Sequence, residues 1–234
     1  MVQIEISMQG VTAIFLKEVR TEWRTRVALS GVGLFVVGSL MLLGLGLKDK
    51  LSPSGDVQGP LIWILALFTA ATGLGRAFIQ EEERATAMAL RLHARPQDVW
   101  LGKFAFNTVL MLVLNALTAP VIFSMLPVNQ VNVGVVSFVL GVGSLAIAAI
   151  FTMMAALVAQ TTARGGLLAA LAFPLLVPVF QAGLNGTKAA LGIGMQGTTK
   201  TVWQVAAGDM LMLGLYSAVA IVLSLWLFDF VWND

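Results

Sequence analysis

The sequence predicts an all-α integral membrane protein: six transmembrane helices, an N-terminal amphipathic interfacial helix, and a short charged helix on the cytoplasmic side between helices 2 and 3. Three observations carry this. Only 11% of the 234 residues are charged and 58% are hydrophobic, whereas a soluble domain carries about 25% charged residues. Six apolar runs, 27–47, 60–79, 102–126, 133–159, 167–184 and 205–230, are long enough to span; roughly 20 residues cross a hydrocarbon core about 30 Å thick. Lys and Arg are unevenly divided between the loops. Cysteine is absent, which removes disulfides, thiolate metal sites and cysteine nucleophiles. A net charge of +2 gives no support to a nucleic-acid partner.

Residues 1–26 are too polar to span. Met8, Val11, Phe15, Val19 and Trp23 recur at three- and four-residue steps while Lys17, Arg20 and Arg24 fall elsewhere. That pattern describes a helix in the membrane interface with its basic residues toward headgroups, or a basic flank that fixes topology. The first apolar run, VALSGVGLFVVGSLMLLGLGL, exceeds a signal-peptide core and precedes five more, so it is expected to be retained.

Six spans put both termini on one side. Lys17, Arg20, Arg24, Arg26, Arg76, Arg84, Arg91, Arg95, Lys103 and Arg164 share it, ten cations against Lys48, Lys50, Lys188 and Lys200 opposite. The excess places the termini in the cytoplasm. Trp63 and Trp203 then mark outer ends of spans, and Trp23 and Trp100 inner ends, as interfacial tryptophans do.

Between spans two and three lies RAFIQEEERATAMALRLHARPQD, Arg76 to Asp98. Ala85, Met88, Ala89 and Leu92 fit one helix face, with Arg84, Arg91 and Arg95 on another and Glu81 and Arg84 as an i, i+3 pair. The second span is expected to run on into this helix. Pro96 ends it, because the residue before proline disfavours helix, and Asp98 is the expected N-cap of the next helix. Such a helix can lie on a bilayer, seat in a protein groove, or be a solvated loop. Glu81, Glu82 and Glu83 disfavour contact with anionic headgroups, which favours a protein partner.

In span five, Pro174 and Pro178 each remove a backbone donor, so a kink or local unwinding is expected. In span four Ser137, Gly141, Ser144, Ala148, Ala155 and Ala159 let helices approach closely, within the chain or across a dimer.

Several motifs are decoys. GIGMQG, Gly192 to Gly197, matches a dinucleotide fingerprint but follows no strand. GLNGTK, Gly183 to Lys188, lacks G-K-[ST], and no Walker A sequence occurs, so any ATP used is bound by another chain. The Asn185–Thr187 sequon has meaning only in a glycosylating source. G-x-S-x-G is absent. Asp209 and Asp229 lie about 30 Å apart along one helix and form no dyad. His93, the single histidine, reads as a surface residue. Spans two to five hold no deep acid, so proton or ion coupling has no apparatus. No catalytic, metal or cofactor-binding set emerges.

Three segments resemble a known family. LKEVRTEWRTR, Leu16 to Arg26, is similar to a K-E/D-L-x-x-E-x-R pattern. FIQEEERATAMALRLHARPQDVWLGK, Phe78 to Lys103, is similar to F-x-x-E/D-x-x-x-G-T-L-E-x-L-x-L-x-P…K. TARGGLLAALAFPLLVPVF, Thr162 to Phe180, is similar to R-G-G-x-L-x-x-L-x-x-x-P-L-x-x-P, with Arg164, Gly165, Gly166, Pro174 and Pro178 in the same order and one residue fewer before Pro174. Together they resemble the permeases of type-2 ABC exporters and, more narrowly, CcmB, haem exporter protein B of cytochrome c maturation. Ala85, Ala87, Met88, His93 and Ala94 depart from the pattern.

The resemblance implies a bacterial inner-membrane permease subunit rather than an enzyme. Residues 1–26 would be the amphipathic helix and 27–234 the permease domain, with a coupling segment at 80–98. The implied partners are the ATPase CcmA, a second copy of the chain, CcmC, CcmD, the haem chaperone CcmE, and membrane lipid. ATP would be bound by the partner subunit, and haem would be handled by the complex, with release of haem-loaded CcmE from CcmC. Glu81, Glu82, Glu83, Arg84, Thr86, Met88, Leu92 and Pro96 would couple to the ATPase. Pro174 and Pro178 would form a hinge. A generic ABC-2 exporter of a lipid, glycan or drug, and an assembly scaffold without transport, are the alternatives.

Overall fold

The computed structural model describes residues 7–47, 57–74, 78, 81, 86–125, 130–159, 164–195, 197 and 199–233. Among them are eight helices: α1 Met8–Thr25, α2 Val27–Leu47, α3 Gln58–Gly73, α4 Ala87–His93, α5 Pro96–Met125, α6 Val133–Ala159, α7 Arg164–Ala190 and α8 Val202–Asn233.

Local signals set their ends. Ser7 caps α1, its hydroxyl accepting from the Gly10 N–H at 3.4 Å, and Arg26 stops it in the left-handed region at φ 52°. The chain then bends by 68° between Met8–Thr25 and Ser30–Gly46. Asn132 caps α6 through the Val135 N–H at 3.1 Å. Thr201 and Gln204 cap α8 reciprocally, N–H to side chain, at 3.0 and 3.4 Å. Beyond α7, Gly192 takes φ 75° while its N–H donates to Ala189 O and the Ile193 N–H to Lys188 O. This paired closure needs a residue at positive φ, which glycine supplies. Gly192 to Met195 of GIGMQG are thus a helix stop and turn. GLNGTK and the sequon lie inside α7, with Thr187 fully buried.

α5, α6, residues 167–190 of α7, and α8 are each long and apolar enough to cross a membrane. α1 and α2 pass together as a bent pair, and the 16-residue α3 is shorter than a span. The described residues therefore carry four or five spans against six expected. α2 coincides with the expected 27–47. The shortfall falls on the second run, where 75–77, 79 and 80 lie outside the described residues.

α6 is the central helix, packed on α3, α5, α7 and α8 and buried over most of its length. In lipid there is little hydrophobic drive between helices, so close packing and hydrogen bonds hold them. Ser144, Ala148, Ala155 and Ala159 are buried inside this chain. Asn115 Nδ2 donates to Ser144 Oγ at 2.9 Å and Asn107 Nδ2 to Thr152 Oγ1 at 2.8 Å, joining α5 to α6. The Ser217 hydroxyl joins α8 to Val142 O at 3.3 Å. Such bonds contribute about 0.6 kcal/mol each. Exposed Ser137 and half-buried Gly141 instead line a groove of about 530 Å³ between α5 and α6.

Two expected interfacial tryptophans are interior. Trp63 is wedged between α6 and α7, where a Cβ on Gly143 or Gly183 would come within 2.4 or 2.2 Å of its ring. Its indole N–H is satisfied by Thr187 Oγ1 at 3.1 Å. Trp100 is also buried, stacked on Phe104 at 4.9 Å. Trp23 and Trp203 are exposed.

The prolines do not unwind their helix: α7 runs unbroken from Arg164 to Ala190 with both inside. Pro174 and Pro178 remove the donors that would reach the carbonyls of Ala170 and Pro174. Beside this weakened stretch, the Tyr216 hydroxyl donates to Leu175 O at 2.7 Å from α8.

Gly183→Val should destabilise the detergent-solubilised protein by about 1–3 kcal/mol through overpacking. Adding Trp63→Leu should recover part of the loss; thermal unfolding of the single and double variants checks this.

Candidate functional site

Sequence chemistry converges at the end of the bundle formed by α1, α4, the start of α5 and the end of α8. α5 opens with Pro96, whose fixed φ suits the first helical position. The helix therefore begins two residues before Asp98, which is not its N-cap. Asp98 lies in the first turn, and its Oδ1 accepts the Ser7 N–H of the α1 cap at 2.9 Å.

That bond starts a seam in which α1 crosses α5. A Cβ on Gly10 would come within 2.6 Å of Asp98 Oδ2, and one on Gly102 within 2.7 Å of Ile14. Gly10, Ile14 and Glu18, spaced four apart, form the protein-facing side of α1, with Ile14 and Glu18 buried. The expected apolar face is displaced from this seam: Val11, Phe15 and Val19 are half-buried, while Met8 and Trp23 are exposed. A hydrophobicity pattern scores glycine and glutamate as polar, so it misses a seam built from both.

Glu18 is drawn in by Lys103, which is fully buried two turns into α5. Lys103 Nζ donates to Glu18 Oε1 at 2.6 Å and to Glu81 Oε1 at 2.8 Å. It also lies 4.8 Å from the centre of the Phe78 ring. Lys17 Nζ donates to the same Glu81 oxygen and sits 3.5 Å from Glu18. Among the described residues, two ammonium groups and two carboxylates from α1, α5 and residue 81 thus meet in one hub. Glu81 Oε2 is buried with no hydrogen-bond partner among the described residues. Burial is the largest influence on the Glu81 carboxyl and raises it. Lys103 and then Lys17 together outweigh burial and hold it below its ordinary 4.5.

The backbone of Glu81 extends the hub toward α4. Its carbonyl accepts the Thr86 N–H at 2.9 Å and the Thr86 hydroxyl at 3.3 Å, and Thr86 is the residue before α4. Phe78 packs on Phe228 and Trp232 of α8 at 5.6 and 6.1 Å, and Arg91 of α4 sits 5.3 Å from the Trp232 ring centre. Leu90 and Ala94 pack on the core, while Met88 and Leu92 project outward, 69% and 76% exposed. His93 is exposed at the end of α4.

Of the expected coupling residues, Thr86, Met88, Leu92 and Pro96 lie together on α4 and its flanks. Glu81 belongs to the buried hub and does not present its carboxylate outward. Glu82, Glu83 and Arg84 lie outside the described residues. α4 is a separate helix beginning at Ala87, after the non-helical Thr86. Arg164, Gly165 and Gly166 open α7, away in sequence from this cluster. Sequence reasoning missed Lys103, Glu18 and the aromatic trio. A signal existed: Lys17, Glu18, Phe78, Glu81 and Lys103 are fixed points of the two patterns that carried the resemblance.

The family description "CcmB protein" matches residues 9–225, from the first turn of α1 to well into α8. The chain belongs to the CcmB family. No match to a curated protein was found. As a CcmB protein it is a permease component of the haem-exporter ABC system of cytochrome c maturation. It is a multi-pass inner-membrane protein that belongs to a complex with an ATPase partner.

Lys103→Met should cost about 3–5 kcal/mol, because it removes the buried cation from between two buried carboxylates and leaves them only the partly exposed Lys17. The depressed Glu81 carboxyl adds a pH signature. Its contribution to stability is present above the ordinary 4.5 and is lost as pH falls through the lower folded value. Melting temperature should be flatter below pH 4.5 in Glu81→Gln than in the unmodified protein.

Proposed function

We propose that this CcmB protein receives the power stroke of its ATPase partner, CcmA, through the segment 80–98, with both termini and α4 in the cytoplasm. One observation carries the reading: α4 is anchored from inside by Glu81, Thr86 and Arg91 yet presents Met88 and Leu92 outward one turn apart. An i, i+4 apolar pair on a short, firmly seated helix is what a hydrophobic groove on a partner accepts. Glu82, Glu83 and Arg84 would supply the flanking charge. The ten-to-four excess of cations on that side supports its cytoplasmic placement.

In this reading two copies of the chain pair with two copies of CcmA. The assembly joins CcmC and CcmD, and ATP hydrolysis releases haem-loaded CcmE from CcmC. α7 carries the motion across the membrane, since Pro174 and Pro178 leave it two backbone hydrogen bonds short in its middle. The Arg164-Gly165-Gly166 start would let its near end move.

Met88→Asp with Leu92→Asp, or Glu82→Lys with Glu83→Lys, should abolish co-purification with the ATPase while the permease still folds. Retained assembly and full stimulated ATP turnover in both variants would remove α4 as the docking element. Pro174→Ala with Pro178→Ala should leave assembly intact and impair chaperone release; unchanged cytochrome c maturation would count against the hinge.

A further inference from the structure

We propose that Lys103 is a positioning residue that locks α1 and the coupling segment into one rigid body on α5, so that α1 moves whenever α4 is moved. The proposal rests on α4 being the element the ATPase displaces; the lock itself rests on geometry alone.

Lys103 is fully buried, and its two carboxylate partners come from separate stretches of chain, Glu18 at 2.6 Å on α1 and Glu81 at 2.8 Å ahead of α4. Each partner is fixed at its other side. Glu81 holds the Thr86 N–H at 2.9 Å, and so the start of α4. Glu18 stands in the seam that begins with the Ser7 N–H on Asp98 at 2.9 Å. Lys17 straps α1 to Glu81 a second time, bypassing α5. Among the described residues, the path from α4 to α1 therefore contains a hydrogen bond or ion pair at every step.

Stability alone does not account for this hub. A buried ion pair replaced by well-packed apolar residues is often neutral or more stable, while removing one partner is costly. A buried cation shared by two carboxylates does something an apolar patch does not: it fixes both at set distances and resists sliding. Apolar helices slip past one another with little penalty, whereas these cannot part without exposing an unpaired charge to a low-dielectric interior. α1 also carries exposed Met8, Leu16 and Trp23, so a stroke shared with it reaches the membrane interface as well as the bundle.

The absence of cysteine makes the test direct. Spin labels at Arg20→Cys on α1 and His93→Cys on α4 report their separation by pulsed dipolar spectroscopy, on the permease alone and in the ATPase complex during turnover. One narrow distance in every state is expected. Glu18→Ala with Lys17→Ala removes both ties of α1 to the hub and leaves Lys103 still facing Glu81, so the fold should survive. It should add a second, longer distance during turnover and reduce stimulated ATP hydrolysis at unchanged assembly. Lys103→Arg should keep the single distance. A distance that shifts between nucleotide states with the hub intact, or that stays single in the Lys17→Ala, Glu18→Ala double variant, overturns the lock. A second label pair, His93 to Val133 on α6, separates the two ideas. If it shows no response to nucleotide, α4 is not the driven element, while the α1–α4 pair still tests the lock.

Discussion

A lysine ammonium with no access to solvent dictates the arrangement of one end of this protein. Transferring Lys103 out of water costs several kcal/mol unless its charge is matched, and Glu18 and Glu81, which hold it, both come from outside α5. The match has to be imported. α1 folds back across the first turns of α5 to bring Glu18, and the chain leaving α3 brings Glu81. Glycines at 10 and 102 let the helices approach closely enough for those short side chains to arrive. The amphipathic helix, the charged segment and the first buried turns of α5 are thus one construction rather than three.

Elsewhere the bundle uses small residues and isolated hydrogen bonds. α6 can be central because small residues such as Ser144, Ala148, Thr152 and Ala155 share its buried faces with larger apolar ones, and lipid gives apolar side chains no reason to prefer protein over acyl chain. The ordinary leucines and valines are left on the outside of α2 and α8, where they face the hydrocarbon. The soluble rule is partly inverted: small and polar residues share the interior with large apolar ones, and the surface is greasy.

This inversion explains what was legible in the sequence. Four runs reappear as spanning helices and α2 keeps its predicted ends, because length and apolarity are properties of a segment by itself. Helix stops were readable where one residue type decides them, as at Pro96. Side-chain placement was not, because it depends on partners far along the chain. Trp63 reads as interfacial until Gly143 and Gly183, 80 and 120 residues away, open a slot for it. Glu81 reads as a surface acid beside two others, and nothing local tells it from Glu82 or Glu83. Only the recurring F-x-x-E/D and P…K spacing hinted that Phe78, Glu81 and Lys103 belong together.

The rim at the opposite end is tied in a different way. The Asn132 N–H donates to Ala190 O at 2.8 Å, Trp63 bonds Thr187, and Asn185 Nδ2 donates to Asp209 at 3.2 Å. These link α6 to α7, α3 to α7, and α7 to α8. Single hydrogen bonds of this kind tolerate small tilts but hold their members in register. If α7 carries the stroke as proposed, a push along it would displace the rim as a single plate instead of parting its helices. That behaviour suits handing a change of shape to a neighbouring protein better than opening a passage within this chain.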